Sequence, residues 1–253
     1  MHKYWWSLTV LILLVQPAVL AQSKKKPAYG TVKIAFTNTV GASPLVLHDS
    51  TYSNAWNEQY TVTKFKYYIS NIILHGSRMA KAGNSYFLIN QADSNSHTLS
   101  IRMPAGTYNS IRFLPGVDSS RNCSGAQTGA LDPLNDMFWT WNSGYVMQKL
   151  EGFSTQSNFR NHKIEYHIGG YKGEHHVLRP VELAFEDNAK LVVKQGYTST
   201  IYIRANLDKI WQGPYTLKIA DTPLCTSPGA MAKSIAGNFA GIFSITGIIN
   251  PAD

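Results

Sequence analysis

The stretch from Leu114 to Gly152, LPGVDSSRNCSGAQTGALDPLNDMFWTWNSGYVMQKLEG, concentrates the residue types that can do chemistry: two tryptophans, a tyrosine, a cysteine and two methionines among Gly-rich turns. A run that mixes large aromatics with turn formers is costly to order, because glycine gives up the most backbone entropy on folding. The rest of the chain contributes further ligand types, with eight histidines, six methionines and a second cysteine, Cys225, in all. No nucleophile elbow, phosphate loop, HExxH or CxxC is present, so hydrolase and nucleotide-binding chemistries have no local support. Imidazole with thiolate or thioether is a soft donor set that suits copper better than calcium or magnesium.

Each histidine needs a position before it can be a ligand. His75 and His97 adjoin loops and read as solvated. His175 and His176 are neighbours in a Gly-flanked loop, where an extended chain points them apart. His48 lies at a strand end and His162 just before a strand. His167 stands out: Ile164, Tyr166 and Ile168 alternate onto one face, so Lys163, Glu165 and His167 fall on the other, just before Gly169-Gly170.

The elements that must position these residues are mostly strands. Thr31 to Phe36 alternates as a half-buried strand, and Tyr60 to Leu74 is the longest aromatic and β-branched run, with a change of phase at Ser70-Asn71 that predicts a bulge or a bend. A helix also fits Phe65, Tyr68, Ile69 and Ile72. Short strands follow at Tyr86–Ile89, Thr98–Met103, Tyr108–Leu114, Val181–Phe185, Lys190–Lys194 and Thr200–Ala205. Met231, Ile235, Phe239 and Ile242 recur at helical spacing before a last strand, Phe243–Ile249. The pattern predicts an all-β fold, an antiparallel β-sandwich with one or two short helices.

Within the central stretch, Asp132-Pro133 reads as a helix start, with Asp at the N-cap and Pro at the first helical position. Leu134, Met137, Phe138, Trp141 and Tyr145 recur at helical spacing and Asn142-Ser143-Gly144 is a stop, so the expectation is a helix of roughly three turns and then an extended Tyr145–Leu150. On such a helix Trp139 and Trp141 are turned by about 200° from each other. Trp141 shares the apolar face, which leaves Trp139 to face a site. An extended backbone would instead put both rings on one side.

The first 21 residues read as a secretory signal, with Lys3, the apolar run Leu8–Val15 and Ala18-Val19-Leu20-Ala21 as the cleavage site. That run is too short to span a bilayer, and the expectation is an exported, periplasmic or secreted protein whose residues 22–253 form a single domain. The formal charge of +8 is scattered among strands apart from Lys24-Lys25-Lys26, without the clustered basic face of a nucleic-acid binder. Cys123 and Cys225 pair as a disulfide on the export reading, or Cys123 remains a free thiolate ligand.

Four blocks resemble a known family, the MbnP-like copper-binding proteins. They are Phe65-Lys66-Tyr67-Tyr68-Ile69-Ser70-Asn71, then Gly116-Val117-Asp118 with Asn122, then Asp132-Pro133-Leu134-Asn135 followed by Met137-Phe138-Trp139-Thr140-Trp141-Asn142-Ser143-Gly144-Tyr145, and Tyr166-His167-Ile168-Gly169-Gly170. The third is long and specific, and the others are weak alone. The resemblance implies a β-rich exported protein that binds copper and is partnered by a di-haem, cytochrome c peroxidase-like (MbnH-type) enzyme that oxidises a tryptophan to kynurenine. Opening the indole creates an aryl amine and a carbonyl, which the indole lacks as ligands. By matching positions the histidine is His167, and the modified residue is Trp139 or Trp141. Some members have a histidine where this chain has Cys123, and others a glycine where it has Asp136.

The expected ligands are therefore His167, Trp139, Trp141, Cys123 and His48, the metal is copper, and the protein is not an enzyme, since no acid/base or nucleophile pair can be named. The competing reading is a structural or glycan-binding sandwich in which Trp139, Trp141 and Tyr145 form an aromatic platform.

Overall fold

The computed structural model describes residues 1–2, 28–83, 85–125, 127–140 and 143–252. The expected secretory signal, apart from its first two positions, and Trp141 lie outside these residues. The strands in chain order are β1 (Tyr29–Val40), β2 (Ser43–Pro44), β3 (Thr51–Ser53), β4 (Gln59–Gly76), β5 (Ala80–Lys81), β6 (Tyr86–Asn90), β7 (Thr98–Pro104) and β8 (Gly106–Leu114). A four-residue helix, α1 (Ser119–Asn122), precedes β9 (Phe138–Thr140), β10 (Gly144–Phe153), β11 (Lys163–Gly169), β12 (Val181–Ala184), β13 (Leu191–Val193), β14 (Thr198–Asn206) and β15 (Leu224–Cys225). The chain then forms α2 (Ala230–Phe239) and β16 (Phe243–Ile249).

Two sheets face each other. The smaller runs β16-β14-β1, with β7 and β2 against the other edge of β1; the larger runs β12-β8-β4-β10-β11-β15. The all-β sandwich expected from alternation is present, but it is mixed rather than purely antiparallel, because β1 runs parallel to β14 and β11 parallel to β15. Sequence alternation cannot distinguish these, since a strand in either orientation shows the same period of two.

The inward residues of the two sheets meet in an aromatic layer. Phe36 of β1 packs edge-on against Tyr67 and Phe113 of the larger sheet, with ring centroids 6.2 Å apart in both pairs. Phe243 lies 5.2 Å from Phe113 and 5.7 Å from Tyr67. Edge-to-face contacts of this kind add to the stabilisation from area burial. Tyr67 also donates from its hydroxyl to Asn38 Oδ1 across the sheets, at 2.8 Å.

β4 is the spine of the larger sheet. Its first half pairs with β10 and its second with β8, and the register shifts between Ser70 and Ile73. Asn71 there has φ 52°, so the phase change is a bulge and the run is a strand throughout, not a helix. At the far end, buried Glu58 accepts hydrogen bonds from Asn54 Nδ2 and from the amides of Ile219 and Ala220, which ties the segment before β15 to the sheet.

The three-turn helix expected from Asp132 is absent. Asp132 does cap as expected, accepting from the Leu134 amide at 2.9 Å with Pro133 behind it, but the turn is a single 3₁₀ turn, Pro133–Asn135. Asp136 then enters the left-handed region with φ 60°, which an α-helix cannot absorb. Phe138–Thr140 continues as β9 and pairs back onto Gly144 and Tyr145 of β10. Aromatic and Thr side chains favour that pleated conformation; of the expected stop, Gly144 opens β10, Ser143 precedes it in a turn, and Asn142 lies outside the described residues.

Candidate functional site

β11 and β10 pair so that Lys149 lies opposite His167 and Glu151 opposite Glu165; β4 brings Lys66 opposite Lys149 and Lys64 opposite Glu151. The other face of these strands carries Leu150, Ile164, Tyr166 and Ile168 into the core, so the polar residues share the outward face. His167 is therefore off the apolar face, as its position in the sequence predicts. Its Nε2 lies 2.8 Å from Glu151 Oε1. If Nε2–H is the donor, the neutral ring presents the lone pair of Nδ1, so Glu151 orients the imidazole in the way carboxylates commonly orient metal-binding histidines.

The charges on this face form a chain. That hydrogen bond from His167, working against burial, and the neighbouring Lys64 hold the Glu151 carboxyl down at about 2. Lys64 Nζ is 3.3 Å from Glu151 Oε2 and 3.0 Å from Asp136 Oδ2, and Lys149 Nζ is also 3.0 Å from Asp136 Oδ2. Partial burial of Asp136 would raise its carboxyl, but the hydrogen bonds from Lys149 and Lys64 bring it to about 2.

Trp139 reaches this face from β9. A Cβ built on Gly169 would lie 2.6 Å from Trp139 Cζ3, so the indole occupies the space a side chain would need, two residues along β11 from His167 on the same side. The first glycine of the His-Ile-Gly-Gly block is thus a seat for the tryptophan. Tyr145 is buried, 4.9 Å from Phe138 and 5.7 Å from Tyr68 between ring centroids, with its hydroxyl donating to Leu131 O. It cannot serve in an exposed aromatic platform.

The remaining blocks hold this assembly in place. Asn122 accepts from the Tyr145 amide at 2.9 Å through Oδ1 and donates from Nδ2 to the carbonyls of Val117 and Asp118. Gly144, with φ 75°, lies so close to Asn122 Oδ1 that no Cβ would fit. Asp118 caps α1 and also accepts from Asn71 Nδ2 and the Tyr86 hydroxyl.

Two expected ligands are not brought to His167. His48 is exposed in the turn before β3 with φ 68°, its amide bonded to Val62 O, and Cys123 is exposed at the end of α1. Among the described residues no three or more His, Cys, Asp or Glu side chains converge as a metal-binding group. Nor do the cysteines form a disulfide: both thiols are free, Cys225 is buried in β15 with its thiol pushed up to about 11 by desolvation, and Cys123 faces solvent. Glu151, Lys149 and Asp136 are the site residues that the sequence reading overlooked. The alternation of β10 puts Lys149 and Glu151 on one face, but only its register with β11 sets them opposite His167 and Glu165.

A family model described as MbnP matches residues 29–228. Among solved structures, MbnP from Methylosinus trichosporium superposes with a TM-score of 0.60 at 12% identity, over 88% of this chain and 99% of that one, a likeness of fold. No curated protein matches. Among the described residues no helix is long and apolar enough to cross a membrane.

Proposed function

Because the chain belongs to the MbnP family, we propose that it is an exported, non-catalytic copper-handling protein whose cargo binds beside His167, with Trp139 oxidised to kynurenine as part of the site. The observation that carries this reading is the Trp139 ring seated on Gly169, on the face that presents His167. His167 offers one nitrogen while Glu151 fixes the ring. An unmodified indole has no lone pair for a metal, so the two side chains on this face make at most one good nitrogen donor. Ring opening at Trp139 would place an aryl amine and a carbonyl beside that nitrogen, which gives the modification a chemical purpose. The catalyst would be a di-haem enzyme of the cytochrome c peroxidase type and the oxidant peroxide: two equivalents would cleave the indole C2–C3 bond to N-formylkynurenine with release of two waters, and hydrolysis would then release formate and leave the aryl amine.

Protein purified from its native host tests the proposal. Copper retained by the wild type and lost in a folded His167→Ala variant is the expected result, together with kynurenine at Trp139 in the peptide from Met137 to Lys149. Copper retained at the same stoichiometry by His167→Ala would overturn it.

A further inference from the structure

Lys149 is only 4% exposed, and binding copper beside His167 gives its ammonium no role. It lies directly opposite another ammonium, that of Lys66 on β4, with His167 opposite it on β11. Like charges so placed repel, and a buried ammonium without a partner is costly. The acceptors for the two lysines come from one short segment. Lys149 Nζ meets Asp136 Oδ2 at 3.0 Å and also donates to the Asp136 carbonyl; Lys66 Nζ donates to Asn135 O at 3.0 Å. Among the described residues Asp136 is the only carboxylate paired with Lys149. Asp136 sits in the left-handed conformation three residues before Trp139. Undocking this segment would remove both of the acceptors that Asp136 gives the ammonium of Lys149.

We propose that Lys149 is a positioning residue, whose buried ammonium latches the segment from Asp132 to Thr140 onto the sheet through Asp136 and thereby holds the Trp139 ring on Gly169 beside His167. The purpose of holding that ring rests on the copper reading above; the latch itself does not. Lys64 extends the device, because it bridges Asp136 and Glu151, and Glu151 holds His167. The segment that carries the tryptophan and the histidine on the same face of the sheet are thus joined by one chain of ion pairs and hydrogen bonds.

Hydrogen exchange on the full chain tests the latch directly. In Lys149→Met, which keeps the unbranched side chain to within one atom of its length and removes its charge, amides of residues 134–140 should exchange at least about tenfold faster while peptides from β4 and β11 keep their protection. Asp136→Asn, at an exposed residue, should free the same amides, and the double variant should be no faster than the worse single one, as expected of partners in one contact. In the native host the kynurenine yield at Trp139 and the copper retained should fall several-fold in both variants. Unchanged exchange over residues 134–140 in the folded single variants would overturn the latch, and if Lys149→Met does not fold, Asp136→Asn decides. A wild type carrying neither kynurenine nor copper would sink the copper reading, and the exchange comparison would still decide the latch.

Discussion

Replacing Asn122 by alanine removes one accepted and two donated hydrogen bonds at a side chain that is 5% exposed. At about 1 kcal/mol for each bond the expected loss is about 3 kcal/mol, read as a shift of the urea midpoint with an unchanged slope. Gly169 makes a different demand, because a Cβ there would meet both the Trp139 ring and the Tyr145 carbonyl. Gly169→Ala should cost about 1–3 kcal/mol by overpacking and should release copper from protein made in the native host; copper retained at wild-type stoichiometry would show that the ring's seat is not part of the site. Asp118 contributes through its charge. Burial works against ionisation, but hydrogen bonds from Ser120, Tyr86, Asn71 and the Arg121 amide bring its carboxyl from the ordinary 3.8 down to about 2. The unfolded chain therefore binds this proton more tightly, so the stabilisation is complete above about pH 4 and disappears as the pH falls to about 2. Melting curves of the wild type and Asp118→Asn should differ at pH 5 and converge as the pH falls to about 2.

At the scale of elements, the loop from Asp132 to Asp136 shows what local sequence can and cannot determine. Its start was legible, since Asp132 caps and Pro133 follows in the first turn. Its continuation was not, because Met137 and Phe138 lie at helical spacing from Leu134 although Phe138 goes into a strand, and the choice is made by pairing with Gly144 and Tyr145. Several strands were legible to within a residue or two, among them Lys163–Gly169, whose buried residues alternate and leave His167 outward, and Phe243–Ile249. The residues that share the candidate face were half legible. His167 and Trp139 could be named, but Glu151, Lys149 and Asp136 gain their roles only from the register of β4, β10 and β11. That register should appear in a second way: Lys64→Ala removes the bridge between Asp136 and Glu151, and because the pairs are partly exposed the expected cost is below about 1 kcal/mol. A larger loss in thermal unfolding would mean that these pairs carry more of the fold than their exposure suggests.

Across the whole molecule, the two cysteines lie in different environments, one exposed after α1 and one buried in β15. Thiol titration of the denatured, non-reduced protein should find both free, and the melting temperature should be the same with and without reductant. A drop on reduction would restore the disulfide that the sequence alone favours.

The parallel pairing of β1 with β14 has a consequence for how the chain is made. Thr31 pairs with Thr198 and Thr39 with Asn206, so the strand formed from early residues cannot complete its pairing until nearly all of the sandwich exists. At about 5–20 residues per second of synthesis, Ile34 and Phe36 wait on the order of ten seconds or more for that partner. Contacts so distant in sequence also slow folding itself. During that interval the β14-facing edge of β1 is open to pairing with another chain, which makes a holding chaperone, or transport before folding, the natural companion of this topology.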